Sequence, residues 1–505
     1  MKEETPRGAG PAGAAVSAER SAPGAQRYEP VIGLEVHAQI QTASKMFCGC
    51  STAYFDAPPN THVCPICLGM PGVLPVMNRS AVEATIMTAL ALNCEIPEAS
   101  KFDRKNYFYP DLMKDYQISQ YDLPFSRDGW LTIEVDGESR QVGIERVHLE
   151  EDTAKLLHRT DAHGRAYSLV DVNRSGVPLM EIVGKPDLRS PAEARAYLVK
   201  LHAILQTLGL SSGHLEEGAF RCDANISLRP VGATEFGTKT EVKNMNSFRA
   251  VYRALEYEIA RQTALLEEGG RVVQETRGWV DDRGVTVSQR SKEFAHDYRY
   301  FPEPDLPPVF VSREWVAELR GRLPELPDAR RERYQHDYGL SAYDAGQLVA
   351  APAMARFFEQ TVALYPQPKI VANWVQGELF RLLKEPEADP ADSRLTPEHL
   401  AELLGLVERG VLSQSLAKQV LEESFASGER PEAIVQARGL SQISDTSELE
   451  RIVDDVLASN PQAVTDYRGG KETAQKFLVG QVMKATRGKA NPAVANELLL
   501  ARLQT

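Results

Sequence analysis

The chain has 505 residues, 43% hydrophobic and 25% charged, with 57 Lys and Arg against 70 Asp and Glu for a formal net charge of −13. This composition excludes collagen-like and wholly disordered chains, and at roughly 150 residues per domain it predicts about three domains. No run of 18 apolar residues occurs, so no membrane span is expected, and six cysteines are too few for a disulfide scaffold. A polyanion would have to meet this acidic chain through a local basic patch. Residues 1–27 are rich in Gly, Ala, Ser and Pro, with Glu3 and Glu4 directly after Lys2. A secretory signal needs a basic start and an apolar stretch of about 7–15 residues, so this segment reads as a flexible tail and a cytoplasmic location is expected.

From Tyr28 the pattern changes to short alternating runs, rich in Val and Ile and bounded by Gly, Pro, Asn or Asp: VIGLEVHAQI, WLTIEVDG, SRQVGIERVHLEED, YSLVDVNRSGVPLMEIVG, FRCDANISLRP and TKTEVKNM. These predict β-strands. SAVEATIMTALALN and SPAEARAYLVKLHAILQTLGL between them predict helices, the second opened by Ser190 as cap and Pro191 at the first helical position. Strands with irregularly interspersed helices indicate an α+β domain, not a doubly wound sheet. The strand signal fades at YRYFPEPDLPP, and downstream the pattern is helical, interrupted at Tyr365-Pro366 and at the polar stretch KEPEADPADSR (384–394). Thr396-Pro397 opens a new helix, Leu449, Ile452, Val453, Val456 and Leu457 make one apolar stripe, and Asn460-Pro461 and Asn491-Pro492 repeat the cap-plus-proline start. The expected organisation is a tail (1–27), an α+β domain (28–308), a helical domain (309–395) and a helical tail domain (396–505).

Cys48-Gly-Cys50 and Cys64-Pro-Ile-Cys67 form a CxC…CxxC set on turn-rich sequence. Two close thiol pairs can converge tetrahedrally on Zn²⁺. The bland alternatives are a redox pair, which needs only one of the two, or unrelated core thiols; a structural zinc site is the preferred reading. His62 is a lesser substitute ligand, and Cys94 and Cys222 read as small buried hydrophobes.

Several charges interrupt apolar strands. Glu35 and His37 lie two apart and share a strand face; Arg146, His148 and Glu150 share another; Glu181 stands alone in GVPLMEIVG. Each taken singly reads best as part of a solvated sheet face. Three such elements in one domain point instead to a hard divalent cation, Mg²⁺ with Mn²⁺ as the alternative that suits the imidazole, and through it to phosphoryl transfer. Gly232–Thr240 (GATEFGTKT) imitates a phosphate-binding loop but has Thr238 where the lysine belongs, so no P-loop is expected. Arg221, Asn225, Lys239 and Lys243 are candidates for phosphate contacts from strands, although singly each reads as a surface residue.

Together these motifs are similar to one family. LVDVNRSGVPLMEI (169–182) resembles the signature of the B subunit of the aspartyl/glutamyl-tRNA(Asn/Gln) amidotransferase, as do IGLEVHAQI, DRKNYFYPDL, YQISQYD, RVHLEEDTAK, FRCDANIS, TEVKNMNSF and KEFAHDYRYFPEPDLPP. The resemblance runs from about Tyr28 to the C-terminus. It implies ATP-dependent transamidation of mischarged Glu-tRNA(Gln) and/or Asp-tRNA(Asn): the side-chain carboxylate is phosphorylated, then amidated with ammonia from a partner glutaminase. The implied assembly is a heterotrimer with an amidase A subunit and a small C subunit. Also implied are a catalytic domain like that of glutamine synthetase and guanidino kinases, with a curved, mostly antiparallel sheet, magnesium ligands at Glu35, His37, Glu150 and Glu181, and structural zinc at Cys48, Cys50, Cys64 and Cys67. Lys114-Asp115-Tyr116 is assigned no role.

The C-terminal segment carries Arg468, Lys471, Lys476, Lys484, Arg487 and Lys489 against one acid, Glu472. Alone it reads as a solvated helix face; with the family resemblance it reads as a tRNA-backbone contact. The rival readings are a carboxylate–amine ligase for a small molecule, which would need no basic tail, and a non-catalytic zinc-bearing tRNA scaffold.

Overall fold

The computed structural model describes residues 27–291, 298–383, 390–440, 446–471, 473–486, 490 and 492–503. The expected N-terminal tail, except Arg27, and the basic residues Arg487 and Lys489 lie outside the described residues. The chain is α+β, with a mixed sheet first and helices after it.

Eight strands form the main sheet: β1 (Tyr28–Gln39), β2 (Gly129–Val135), β3 (Glu138–Glu151), β4 (Pro178–Gly184), β5 (Phe220–Pro230), β6 (Thr240–Lys243), β7 (Glu275–Val280) and β8 (Val285–Ser291). Their order is β8-β7-β6-β5-β1-β4-β3-β2, and only β6–β7 is a parallel pair. The alternation read from sequence decides which way each strand faces. Ile32, Leu34, Val36 and Ala38 of β1, Val147 and Leu149 of β3, Met180 and Ile182 of β4 and Ala224 and Ile226 of β5 are buried in one apolar cluster. Burying each large aliphatic side chain contributes about 1.5–3 kcal/mol.

Three helices supply the other half of that core: α1 (Arg79–Ala91), α2 (Pro191–Leu208) and α3 (Phe248–Glu267). Asn78 caps α1 by accepting from the Ser80 and Ala81 N–H groups, and Ser190 caps α2 by accepting from Glu193 N–H. Helices thus seal the apolar face, leaving Glu35, His37, Glu181, His148 and Glu150 on the other. A small antiparallel sheet (Asp103–Asn106, Tyr116–Ser119, Phe301–Pro302) packs against the end of β3, where Ser119 Oγ donates to Glu150 Oε2 at 3.1 Å.

The run YSLVDVNRSGVPLMEIVG, read as one strand region, is divided. Ala166–Asp171 pairs with Lys155–Thr160 as an exposed hairpin, a 3₁₀ turn covers Val172–Arg174, and only Pro178–Gly184 joins the main sheet. The decoy loop Gly232–Lys239 links β5 to β6, strand to strand, where a P-loop would lead into a helix. Its Gly237 passes so close to Leu228 that a Cβ would stand 2.0 Å from the Leu228 carbonyl oxygen.

The remaining chain builds two helical cores, one spanning Tyr334 to Leu440 and one Leu449 to Leu503. The expected break at 395 falls inside the first of these, because Leu395 is buried in it. Leu306, Val311, Val316 and Leu319 pack with the sheet core, so that core reaches past residue 308. Asn460 does not cap the helix it precedes; its Nδ2 donates back to Val456 O at 2.8 Å.

Tyr197 of α2 is fully buried, and among the described residues its hydroxyl has no hydrogen-bond partner. An unsatisfied buried hydroxyl costs about 1–3 kcal/mol. Tyr197→Phe is therefore expected to leave the melting temperature unchanged or raise it; a fall of several degrees in a thermal melt would reveal a partner for that hydroxyl.

Candidate metal centre and its surroundings

Strand register assembles the site. His37 of β1 stands opposite Glu181 of β4 on one side and Arg221 of β5 on the other, and Glu181 stands opposite His148 of β3. The result is one row, His148–Glu181–His37–Arg221, across four strands. Glu35 and Asp223 form the next row, and Glu150 follows His148 two residues on. A register shift between Ile144 and Arg146 re-aims β3 just before these side chains.

His37 Nε2 lies 3.4 Å from Glu181 Oε2, 3.7 Å from Glu35 Oε1 and 3.8 Å from Glu150 Oε1. His148 Nε2 lies 3.4 Å from Glu181 Oε2 and 3.9 Å from Glu150 Oε2. Most of these gaps exceed good hydrogen-bond lengths. The donors face one another in two groups, Glu35–His37–Glu181 and His148–Glu150–Glu181, and within each group the ligand atoms lie within 4.8 Å of one another. Three carboxylates with imidazole nitrogen form a donor set suited to Mg²⁺ or Mn²⁺. All four residues expected as magnesium ligands are brought together.

Electrostatics hold the cluster charged. Burial works against the His148 imidazolium, but the Glu181 and Glu150 carboxylates outweigh it and hold the pKa up at about 9. His37 is raised in the same way, against burial, chiefly by Glu181. Burial would raise the Glu181 carboxyl, yet His148 and His37 pull it well below the usual range. Glu150 is likewise lowered despite burial, with Lys105 the leading cause and His148 next. Glu35 goes the other way, raised by burial and by the neighbouring Glu181 charge.

The candidate phosphate contacts separate into near and far. Arg221 flanks His37 and is paired with Asp152 at 3.3 Å; burial is overcome by Arg221 and Arg174, and the Asp152 carboxyl sits at about 2. Lys243 pairs with Asp223 and, at 3.2 Å, with Glu241, beside Glu35. Asn225 is opposite Gly33 and Glu241. Lys239 is exposed before β6, four residues from Lys243 and roughly 13 Å further along the strand direction.

The four cysteine sulfurs also lie within 4.8 Å of one another, with Cys64 and Cys67 at 3.9 Å. Four sulfurs around one Zn²⁺ stand about 3.8 Å apart, so this donor set suits a closed tetrahedral site. The Cys64 N–H donates to Cys67 Sγ at 3.2 Å, the close backbone approach a tight turn permits. His62 is not in the group; its N–H donates to Asn173 Oδ1 at 2.8 Å. Cys94 and Cys222 are buried away from it. In the C-terminal domain Lys476 and Lys484 are exposed on the helix Thr473–Ala485, Lys471 pairs with Asp466 at 3.2 Å, and exposed Arg468 donates to the Leu503 carbonyl.

The sequence places His148 on the correct face without marking it as a ligand. It also leaves unmarked Lys105, whose ammonium is held by Glu150 and Glu181, together with Asp152 and Arg174. The available signal for His148 is its spacing of two from Glu150; nothing local marks Lys105, which arrives on a separate sheet.

Comparison with known proteins gives two family matches, to the GatB/GatE catalytic domain over residues 30–317 and to the GatB (Yqey) domain over residues 356–503. A protein of Moorella thermoacetica is 61% identical over 476 residues, covering 94% of this chain and 100% of its own length. One of Carboxydothermus hydrogenoformans is 57% identical over 478 residues, covering 95% and 99%. A third, from Thermomicrobium roseum, is 57% identical over 478 residues, covering 94% and 99%. All three carry the name of the B subunit of the aspartyl/glutamyl-tRNA(Asn/Gln) amidotransferase.

Protons would compete with any divalent cation for the cluster. Because the His148 pKa is about 9, its imidazole carries a proton near neutral pH that a cation bound among His148, Glu150 and Glu181 must displace. Affinity for Mg²⁺ or Mn²⁺ should therefore rise from about pH 7 to about pH 9, by up to roughly tenfold per unit. Calorimetry in buffers of different ionisation enthalpy reads the released protons; pH-independent affinity without proton release would detach His148 from the ion.

Proposed function

The chain belongs to the family of aspartyl/glutamyl-tRNA(Asn/Gln) amidotransferase B subunits, and from that premise we propose that it performs the ATP-dependent step in amidating mischarged Glu-tRNA(Gln) and/or Asp-tRNA(Asn). It is a ligase that forms a carbon–nitrogen bond. The observation that supports this reading best is the convergence of Glu35, His37, Glu150 and Glu181 from three strands onto one point of the polar sheet face.

The chemistry needs such a point. A carboxylate resists attack by ammonia because oxide would have to leave. When a carboxylate oxygen attacks the γ-phosphorus of ATP, ADP leaves and an acyl phosphate forms. Ammonia then attacks the acyl carbon, phosphate departs, and the nitrogen gives up a proton to leave the amide. Glu35, His37, Glu150 and Glu181 would hold Mg²⁺ or Mn²⁺, which when bound offsets phosphate charge. Arg221 ends the row of His37, Lys243 and Asn225 stand in the rows beyond it, and these three would orient the phosphates; Lys239 would reach only an outlying one. In this reading the sheet has the glutamine synthetase and guanidino-kinase fold, and Cys48, Cys50, Cys64 and Cys67 hold a structural zinc.

Ammonia would come from a partner amidase A subunit in a heterotrimer that includes a small C subunit. No described helix is long and apolar enough to cross a membrane. The tRNA backbone would meet the C-terminal domain, where Lys476 and Lys484 are exposed while Lys471 is partly neutralised by Asp466.

Glu181→Gln in the assembled enzyme should lower ATP consumption in the presence of mischarged tRNA by at least about 100-fold, because it unbalances both histidines and removes the donor shared by both groups. Turnover at the wild-type rate would refute the assignment. The double variant Lys476→Ala/Lys484→Ala should raise KM for tRNA with kcat little changed, and reduce the salt dependence of binding by about two counterions. An unchanged salt slope would place the tRNA elsewhere.

A further inference from the structure

Lys45 is only 1% exposed, yet its ammonium has a single hydrogen bond among the described residues, a 3.4 Å contact from Nζ to the Val172 carbonyl. No carboxylate of the described residues forms an ion pair with it. Burying an ammonium without an anion costs several kcal/mol. Something nearby must carry the compensating charge.

Lys45 lines a cavity of about 30 Å³ together with Cys48, Cys67, Lys114, Glu151 and Gly176. Glu151 is already engaged, by Lys114 and by the Ile118 N–H at 3.1 Å. The cavity's other carboxylate, Asp305, pairs with Arg104 at 3.4 Å, which leaves the sulfurs of Cys48 and Cys67 among the lining groups to offset the ammonium. Gly176 (φ +84°) marks the close approach: a Cβ there would stand 3.5 Å from Lys45 Cδ and 3.7 Å from Cys67 Cβ. The backbone fixes the lysine beside the thiols, since Lys45 N–H donates to Cys50 O at 2.9 Å and Met46 N–H to Gly176 O at 2.7 Å. Four neutral thiols would not repay burial of this cation, whereas four thiolates around a divalent ion carry a net charge of about −2 and would.

We propose that Lys45 is the buried counter-cation of a four-thiolate zinc centre at Cys48, Cys50, Cys64 and Cys67. It touches no substrate and acts by stabilising the thiolates that hold the ion. The proposal rests on the zinc reading above, and one experiment separates the two. The full chain is purified with zinc, its metal content measured, and the ion titrated away with a chromogenic chelator. Wild type should retain one equivalent, and Lys45→Met, similar in length but uncharged, should hold zinc about 10–100-fold more weakly. A wild-type chain that binds no zinc overturns the zinc reading itself. Wild type with zinc and Lys45→Met holding it within about twofold overturns the role of Lys45 alone. Should Lys45→Met fail to fold, Glu151→Gln carries the test. Removing a neighbouring negative charge should leave zinc affinity unchanged or higher, and a tenfold loss would overturn the proposal.

Discussion

The antiparallel register of β3, β4, β1 and β5 is the constraint on which the rest depends. Side chains alternate with a period of two, so a slip of one residue in any of these strands would send its charges into the core and its aliphatic residues out. The same register that buries Ile182 and Val36 in the apolar core puts Glu181 opposite His37 and His148. Packing of the apolar face thus sets the positions of the polar one. Beyond the register shift before Arg146, no separate device is needed to aim the site.

That arrangement concentrates charge where charge is expensive. Glu150, Glu181 and His148 are buried, and each would be costly alone. They persist because acids and bases alternate: His37 and His148 flank Glu181, and Lys105 adds positive charge beside Glu150 and Glu181. The balance is unequal. Glu181 and Glu150 are held as carboxylates while Glu35, the more open of the three, is pushed toward its neutral form. A cation entering the cluster would relieve the repulsion that raises Glu35 and replace the proton on His148.

Much of this was legible in the residues. VIGLEVHAQI shows its alternation openly, and the helix from Pro191 to Leu208 carries its cap, its proline and its terminal Gly209 in sequence. The thiol set was legible because spacing within each pair already implies convergence. Lys105 and Ser119 were not, since they reach Glu150 from a small sheet whose two- to four-residue strands have too few residues to display a period. His148 lay on the right face but beside Arg146 and Glu150, where a run of charge imitates a solvated edge. Of the stretch at 384–394, which resembled a linker by composition, residues 384–389 lie outside the described residues, while Pro390 and the adjoining Leu395 are buried.

The thiol turns and the carboxylate cluster are mechanically continuous. Met46 N–H donates to Gly176 O, Gly176 N–H donates to Asp152 O at 2.9 Å, and Asp152 N–H donates to Val177 O at 2.8 Å. Asp152 lies two residues beyond Glu150 and anchors Arg221, Arg174 and Gln39. Between the cysteines and the end of β3, Gly176 is therefore gripped from both sides, and its left-handed backbone (φ +84°) favours glycine there. If an ion draws the four sulfurs together, it also fixes the turn that seats the start of β4 and the end of β3. The thiol site then contributes more than local stability: it limits how far Glu150 and Asp152 can drift from His37 and Arg221, and a donor cluster held together by mutual charge alone could not supply that restraint.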